Sequence, residues 1–287
     1  QTYKVVVVSD SGNKYRFRNS ADNATYAASA VTLDLQEGGT YTFDVSDSSV
    51  SSHPFVIGTS ANSNEYSTGV TYKLDGVTKT YSQYTSGFSA ATTRQLIITV
   101  AASAPTLYYW CSQHSGMGGQ INTNTTFGST NFDGSILTKV SANTTAGFSI
   151  VTYTGNASAG ATIGHGLGST PAVVFVKTRA IAFDWYVYNK NIGNTKYLEF
   201  NTTNAEDTRS GAWNDTSPTS TVITLGSDDG ANDNDTMVAY CFSEVKGYSK
   251  FGSYTANGNA DGHFTYTGFR PAWLMIKCTS HSGEWFI

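Results

Sequence analysis

The chain has 287 residues, room for two domains of ordinary size. Only 13% of them are charged, about half the usual share, which excludes a helical bundle or coiled coil with its charged wet faces. The formal net charge is −4 and no basic run exists, which excludes nucleic-acid binding through a cationic surface; no apolar stretch nears the roughly 18 residues of a membrane helix, so no membrane partner is expected either.

Aromatic residues reach 13%, with 18 Tyr, beside 28 Gly and many Ser, Thr and Asn. That mixture suits strands and tight turns and predicts an all-β protein. Residues 3–8 read as a buried strand. Residues 31–35 and 40–45 alternate apolar with polar around the turn Glu37-Gly38-Gly39. Short strands follow at 55–57, 69–73 and 94–100. Another, at 106–110, runs into Cys111, and the last is 120–122. About seven short strands predict one β-sandwich over residues 1–125. Residues 126–146 are polar, with one strand-like interruption at 136–140, and are expected to link two domains.

A repeat follows. Gly147-Phe148-Ser149 and Tyr153-Thr154-Gly155-Asn156 are matched by Gly247-Tyr248-Ser249 and Tyr254-Thr255-Ala256-Asn257. Pro171-Ala172, Lys177 and Trp185 are matched by Pro271-Ala272, Lys277 and Trp285, an offset of 100 with one slip. The expected units are 147–246 and a truncated second copy, 247–287, so the natural polypeptide is expected to continue past Ile287. At the other end the chain opens at Gln1 without a leader pattern, which implies a removed leader or a longer parent. Cys111, Cys241 and Cys278 are too few for a disulfide framework; free core thiols are expected, with a Cys241–Cys278 bridge as the alternative.

The sharpest chemical signal runs from Tyr108 to Gly119. A thiol at a strand end, Cys111, is followed by an imidazole three residues on, His114, and a thioether three beyond that, Met117. His53 lies upstream, before Pro54-Phe55. One Cys, two His and one Met are the donors of a blue-copper centre, a thiolate and two imidazoles in a plane with a weak axial thioether. Glycines allow the tight path such a loop needs. Each residue alone reads as structure: a buried thiol, a turn histidine, a core methionine. A site without metal, or one loaded with zinc, is the alternative.

These residues resemble the cupredoxin family over about residues 1–125, with the spacing of its short-loop members. The resemblance implies a Greek-key sandwich and a type 1 copper site, its first histidine, here His53, coming from a distant strand. Cys111, His114 and Met117 match the family motif position by position; His53 is assigned by context.

Other signals point to scaffold. Residues 226–235 hold four carboxylates, but lack the twelve-residue calcium-loop spacing, and Asp, Asn and Gly are ordinary turn residues, so calcium is not expected. Residues 164–168 resemble a phosphate loop only faintly and precede a strand, so they read as a turn. His165, His263 and His281 are scattered and read as surface or turn residues. The serines Ser149 and Ser249 lack the closing Gly of a nucleophile elbow, so no enzyme is predicted.

Residues 144–156, 163–168 with Pro171, 197–201, 211–214 and 248–254 resemble a module of marine bacteriophage (cyanophage-type) structural proteins over 133–287, a module read as a β-sandwich or jelly-roll-like fold. Such proteins often carry a cupredoxin-like unit with a Cys-Ser-x-His-Ser-Gly-Met-Gly-Gly segment. The resemblance implies a non-enzymatic virion protein, a fibre, tail appendage or capsid decoration on the particle surface. Its partners would be other virion proteins and copies of itself, and a host-surface glycan or receptor. The alternative is an exported type 1 copper electron carrier anchored by the β repeats.

Overall fold

The computed structural model describes residues 1–125 and 127–287. They divide into two units, Gln1–Ser135 and Ile136–Ile287. Both are built from β-strands, as the composition predicts.

In the first unit, β1 (Thr2–Ser9), β2 (Asn13–Arg18), β3 (Leu33–Gln36) and β4 (Thr40–Asp44) are followed by β5 (Phe55–Ser60) and β6 (Ser63–Glu65). Then come β7 (Val70–Leu74), β8 (Val77–Lys79), a short helix α1 (Tyr81–Gly87) and β9 (Arg94–Thr99). The unit closes with β10 (Leu107–Cys111), β11 (Gln120–Thr125) and β12 (Ser129–Asn131). One sheet runs β2-β1-β4-β9-β7-β8 and the other β3-β11-β10-β5-β6. Pairing is antiparallel except for β1 with β4 and β3 with β11. The sheets form a sandwich because alternate residues of each strand are apolar and turn inward. Phe43 from one sheet meets Phe55 from the other at 4.9 Å between ring centres, and Phe55 stacks on Tyr109 at 5.5 Å.

The polar stretch expected to be a linker, 126–146, holds the boundary between the two units and contributes the short strands Ser129–Asn131 and Thr138–Asn143. Its first part belongs to this sandwich: the Thr130 hydroxyl accepts from the Asp34 N–H, its carbonyl accepts from the Tyr3 hydroxyl, and Phe132 stacks on Phe17 at 4.8 Å. A short edge strand of Ser, Thr and Asn has no apolar alternation to announce it. The helix α1 was not anticipated either. Thr80 and Gln83 cap it reciprocally, and Tyr84 buries its one anchor.

The second unit holds β13 (Thr138–Asn143), β14 (Phe148–Thr154), β15 (Thr162–Gly164), β16 (Val173–Thr178), β17 (Tyr186–Asn189) and β18 (Lys196–Glu199). It continues with β19 (Asp207–Thr208), β20 (Val222–Thr224), β21 (Thr236–Phe242), β22 (Ile276–Lys277) and β23 (Trp285–Phe286). The main sheet runs β13-β14-β21-β16-β17-β18-β19, antiparallel throughout. On one face Val151, Val176 and Ala239 pack with Ile163 and Ile223 of the β15–β20 ribbon. On the other, Val173, Val187 and Leu198 are covered by Phe251 and Trp285, among others.

The two stretches matched by sequence differ in form. Residues 148–154 are β14, whereas 248–254 form no strand. The β22–β23 ribbon pairs Ile276 with Phe286, and in β16–β17 the pair is Val176 with Tyr186. Both partners are displaced by 100 residues and the register is the same.

Candidate metal centre

The centre is built by strand register. Strands β5 and β10 run antiparallel with Cys111 opposite Phe55, and the Ser112 N–H donates to the Pro54 carbonyl at 3.0 Å, extending the ladder by one step. His53, two residues before Phe55, is thereby carried to the same end of the sheet as Cys111. The His53 N–H donates to the Val50 carbonyl at 2.8 Å, and the Tyr15 hydroxyl donates to the His53 carbonyl at 2.8 Å. Its main chain is fixed from both sides.

The side chains converge. The Cys111 Sγ lies 3.5 Å from the His114 Nδ1 and 3.9 Å from the His53 Nδ1, and the two Nδ1 atoms are 3.1 Å apart. Cys111 and His53 are buried and His114 is exposed. The far nitrogen of His53, Nε2, faces the Asn13 side-chain amide at 3.4 Å, which leaves Nδ1 turned to the thiol.

The loop that returns from Cys111 is held at several points. Gly116 has φ +75°, a conformation that favours glycine. A Cβ on Gly118 would sit 1.7 Å from the Tyr109 carbonyl oxygen, so only glycine lets the loop lie against β10. The Tyr109 N–H donates to the Gly119 carbonyl, the Gly116 N–H donates to Asn62 Oδ1 at 3.1 Å, and the Lys14 ammonium donates to the Gly116 carbonyl. Met117 is buried, and its carbonyl accepts from the Tyr15 N–H at 2.9 Å. Of the four residues predicted from sequence, three bring donor atoms together, and the fourth is buried in the loop that carries two of them.

Burial, and secondarily the neighbouring His114, holds the His53 imidazole below its ordinary pKa. The Tyr15 phenol is pushed well up, by burial first and then by Cys111 beside it. The spacing fits a transition-metal ion. Bonds of about 2.0–2.3 Å from one ion to three such donors in a plane put the donors roughly 3.5–4 Å apart, against the 3.1, 3.5 and 3.9 Å found. Two imidazoles and a thiol suit a soft or borderline transition-metal ion better than a hard cation. Among the described residues, this is the group of three or more His, Cys, Asp or Glu whose ligand atoms cluster within 4.8 Å.

The remaining candidates have structural roles. In the acidic loop, Asp228 pairs with Arg209 and the Asp235 carboxylate accepts from the Thr236 N–H. Asn232 is buried and donates to the Gly226 carbonyl at 2.9 Å and the Ser158 carbonyl at 3.1 Å. Of the turn expected at 164–168, Gly164 ends β15 and the chain then bends away, with Gly166 and Gly168 at positive φ. His165 within it is fully buried rather than at the surface, and its Nδ1 accepts from the Leu167 N–H. All three cysteines are free, so no Cys241–Cys278 bridge forms. Burial pushes the Cys241 thiol up to about 12.

Sequence reading missed Asn13, Lys14, Tyr15 and Asn62, which orient the histidine and the loop. Residues 14–18 do alternate polar with aromatic, a strand signal, but nothing local reveals what they face.

Residues 121–287 match the family model described as a domain of unknown function, DUF7483. No curated protein matches the chain and no solved structure does. The matched span begins after Met117, so the thiol–imidazole cluster lies outside it.

Proposed function

We propose that this chain, which belongs to the DUF7483 family, is a non-enzymatic virion component of serial β domains whose first sandwich carries a type 1 copper site. The observation that carries the copper assignment is the meeting of the Cys111 thiol with the Nδ1 atoms of His53 and His114. Those three side chains would hold the ion, with Met117 as the weak fourth ligand. Bound copper supplies one-electron exchange. The chain's residues do the rest: Cys111 gives up its proton to become a ligand, buried His53 keeps water from one side, and Asn13 orients its ring.

The virion assignment rests on the likeness of residues 133–287 and of the Cys111 segment to cyanophage structural proteins, and on the low charge of the whole chain. Its partners are then other virion proteins, further copies of itself and a host-surface glycan or receptor, and its place is the particle surface. Mass spectrometry and immunogold microscopy of purified particles test this: the protein is expected at symmetric positions, and a soluble monomer absent from particles overturns the reading.

The exposure of His114 favours a second reading, an exported electron carrier, because an exposed ligand gives a partner direct access to the ion. Adding Cu(II) separates the parts. An intense visible thiolate-to-copper band, lost in Cys111→Ser, is expected under both readings, and its absence removes the copper site from each.

A further inference from the structure

We infer that Cys278 and His281 form a second, solvent-facing reactive site, a thiol–imidazole pair that exchanges with small disulfides and takes up a mixed disulfide. The Cys278 Sγ lies 3.1 Å from the His281 Nδ1 and 3.6 Å from the Ser280 hydroxyl, which itself lies 3.3 Å from the His281 Nδ1. A nucleophile and a base within hydrogen-bond reach, with a third group beside the base, is the arrangement that activates a thiol.

The pair is also preorganised. It occupies the turn between β22 and β23, and that turn is tied to residues 199–206. The Glu206 N–H donates to the Thr279 carbonyl at 2.9 Å, and the Gly283 N–H donates to the Thr203 carbonyl at 2.8 Å. The Lys277 ammonium bridges the Thr203 and Gly283 carbonyls, and the Trp285 indole N–H donates to the Glu199 carbonyl. The ribbon holds Cys278 and His281 in one arrangement without burying them.

Comparison with the other two thiols makes Cys278 the reactive one. Cys111 is 1% exposed and Cys241 fully buried, whereas Cys278 is partly exposed. The Ser280 hydroxyl first, and then the main-chain N–H of His281, hold the Cys278 thiol below its ordinary pKa, while burial moves Cys241 the opposite way. The segment 278–283 also repeats the Cys-x-x-His-Ser-Gly order of 111–116. There a second imidazole completes a group of three donors; here Cys278 and His281 belong to no such group among the described residues. Two donors hold a metal poorly, so exchange is the chemistry this pair can complete.

The step balances within the pair and its co-reactant. His281 accepts the thiol proton and the Cys278 sulfur attacks one sulfur of the incoming disulfide. A new S–S bond forms as the old one breaks, and the departing half leaves as a thiolate that recovers the proton. Cys278 is oxidised and the released thiol is the reduced product.

Dithiobis-nitrobenzoate, a disulfide that releases a coloured thiolate, tests this on the whole chain carrying Cys111→Ser. One fast equivalent is expected, with a pH–rate midpoint below the roughly 8.5 of a free thiol. Cys278→Ser should abolish it. His281→Ala should keep the stoichiometry and raise the midpoint. Because a more basic thiolate is scarcer but more nucleophilic, each unit of that rise slows exchange at pH 7 roughly three- to four-fold. A fast phase that survives Cys278→Ser, a midpoint at the ordinary thiol value, or one unmoved by His281→Ala overturns the proposal.

Discussion

The Nδ1 atoms of His53 and His114 stand 3.1 Å apart although 61 residues separate them in the chain. Two imidazoles this close share at most one proton along the line between them, since two facing N–H groups repel. One cation beside Cys111 would engage both lone pairs and the thiolate at once. Metal should therefore stabilise the first sandwich. With copper at a hundred times its Kd, about 2.7 kcal/mol is added, read as a higher thermal midpoint. His114→Ala should remove most of that increment while leaving the metal-free midpoint nearly unchanged, because His114 is exposed.

Asn13 should matter to affinity through His53 alone. Its amide faces the Nε2 nitrogen at 3.4 Å, and partners of that kind typically account for 10–100-fold in metal affinity. Asn13→Ala is expected to weaken copper binding by about that factor in a titration. The position of the visible band should stay, since no ligand is lost. An unchanged affinity would show that the ring is held by its main-chain bonds alone.

Gly118 tests how the loop is seated. A methyl group there would meet the Tyr109 carbonyl at 1.7 Å and the Trp110 Cα at 3.0 Å, both backbone atoms that cannot step aside. Gly118→Ala is expected to cost about 3 kcal/mol in denaturant unfolding. At Gly252 the same methyl meets nothing within 4 Å, so Gly252→Ala should stay within about 0.5 kcal/mol of the parent. Equal effects at the two sites would contradict the seating described.

The thiol–imidazole cluster was legible where its information is local. Cys111, His114 and Met117 lie within seven residues, and that spacing alone places Cys111 and His114 together, 3.5 Å apart. His53 was legible from its position before a strand, but its approach to Cys111 depends on the pairing of Phe55 with Cys111, which no local pattern states. Asn13 and Tyr15 were illegible as site residues for the same reason, since they meet His53 only across the closed sandwich. In the fold, alternating aromatic strands such as 40–44 could be read directly. Residues 129–131 could not, because Ser129, Thr130 and Asn131 work through hydrogen bonds rather than burial of apolar side chains.

Alkaline pH should unfold the protein cooperatively. Burial holds the phenols of Tyr3, Tyr15, Tyr84, Tyr109 and Tyr153 well above their ordinary pKa. Below about pH 10 folded and unfolded chains both keep these protons, and stability does not respond. Above it the unfolded chain releases protons that the folded chain retains. Stability then falls as pH rises, by about 1.4 kcal/mol per unit for each such group. Phenolate absorbance should show exposed tyrosines ionising first and reversibly, followed by an abrupt step that coincides with loss of the β signal in circular dichroism. A smooth titration of every tyrosine near pH 10 in a folded protein would contradict it.

Phe132 decides where the first sandwich ends. Its ring stacks on Phe17 at 4.8 Å and meets Tyr3 at 5.8 Å and Tyr26 at 5.6 Å, and it is 6% exposed. Removing a buried aromatic ring of this kind costs about 3–5 kcal/mol, so Phe132→Ala should lower the denaturant midpoint of the first unit by that amount. A fragment ending at residue 135 should unfold later than one ending at 125, which lacks both Phe132 and the Thr130 bonds to Asp34 and Tyr3. If the two fragments unfold together and Phe132→Ala is silent, residues 126–135 are a connector after all, and the sandwich is complete at Thr125.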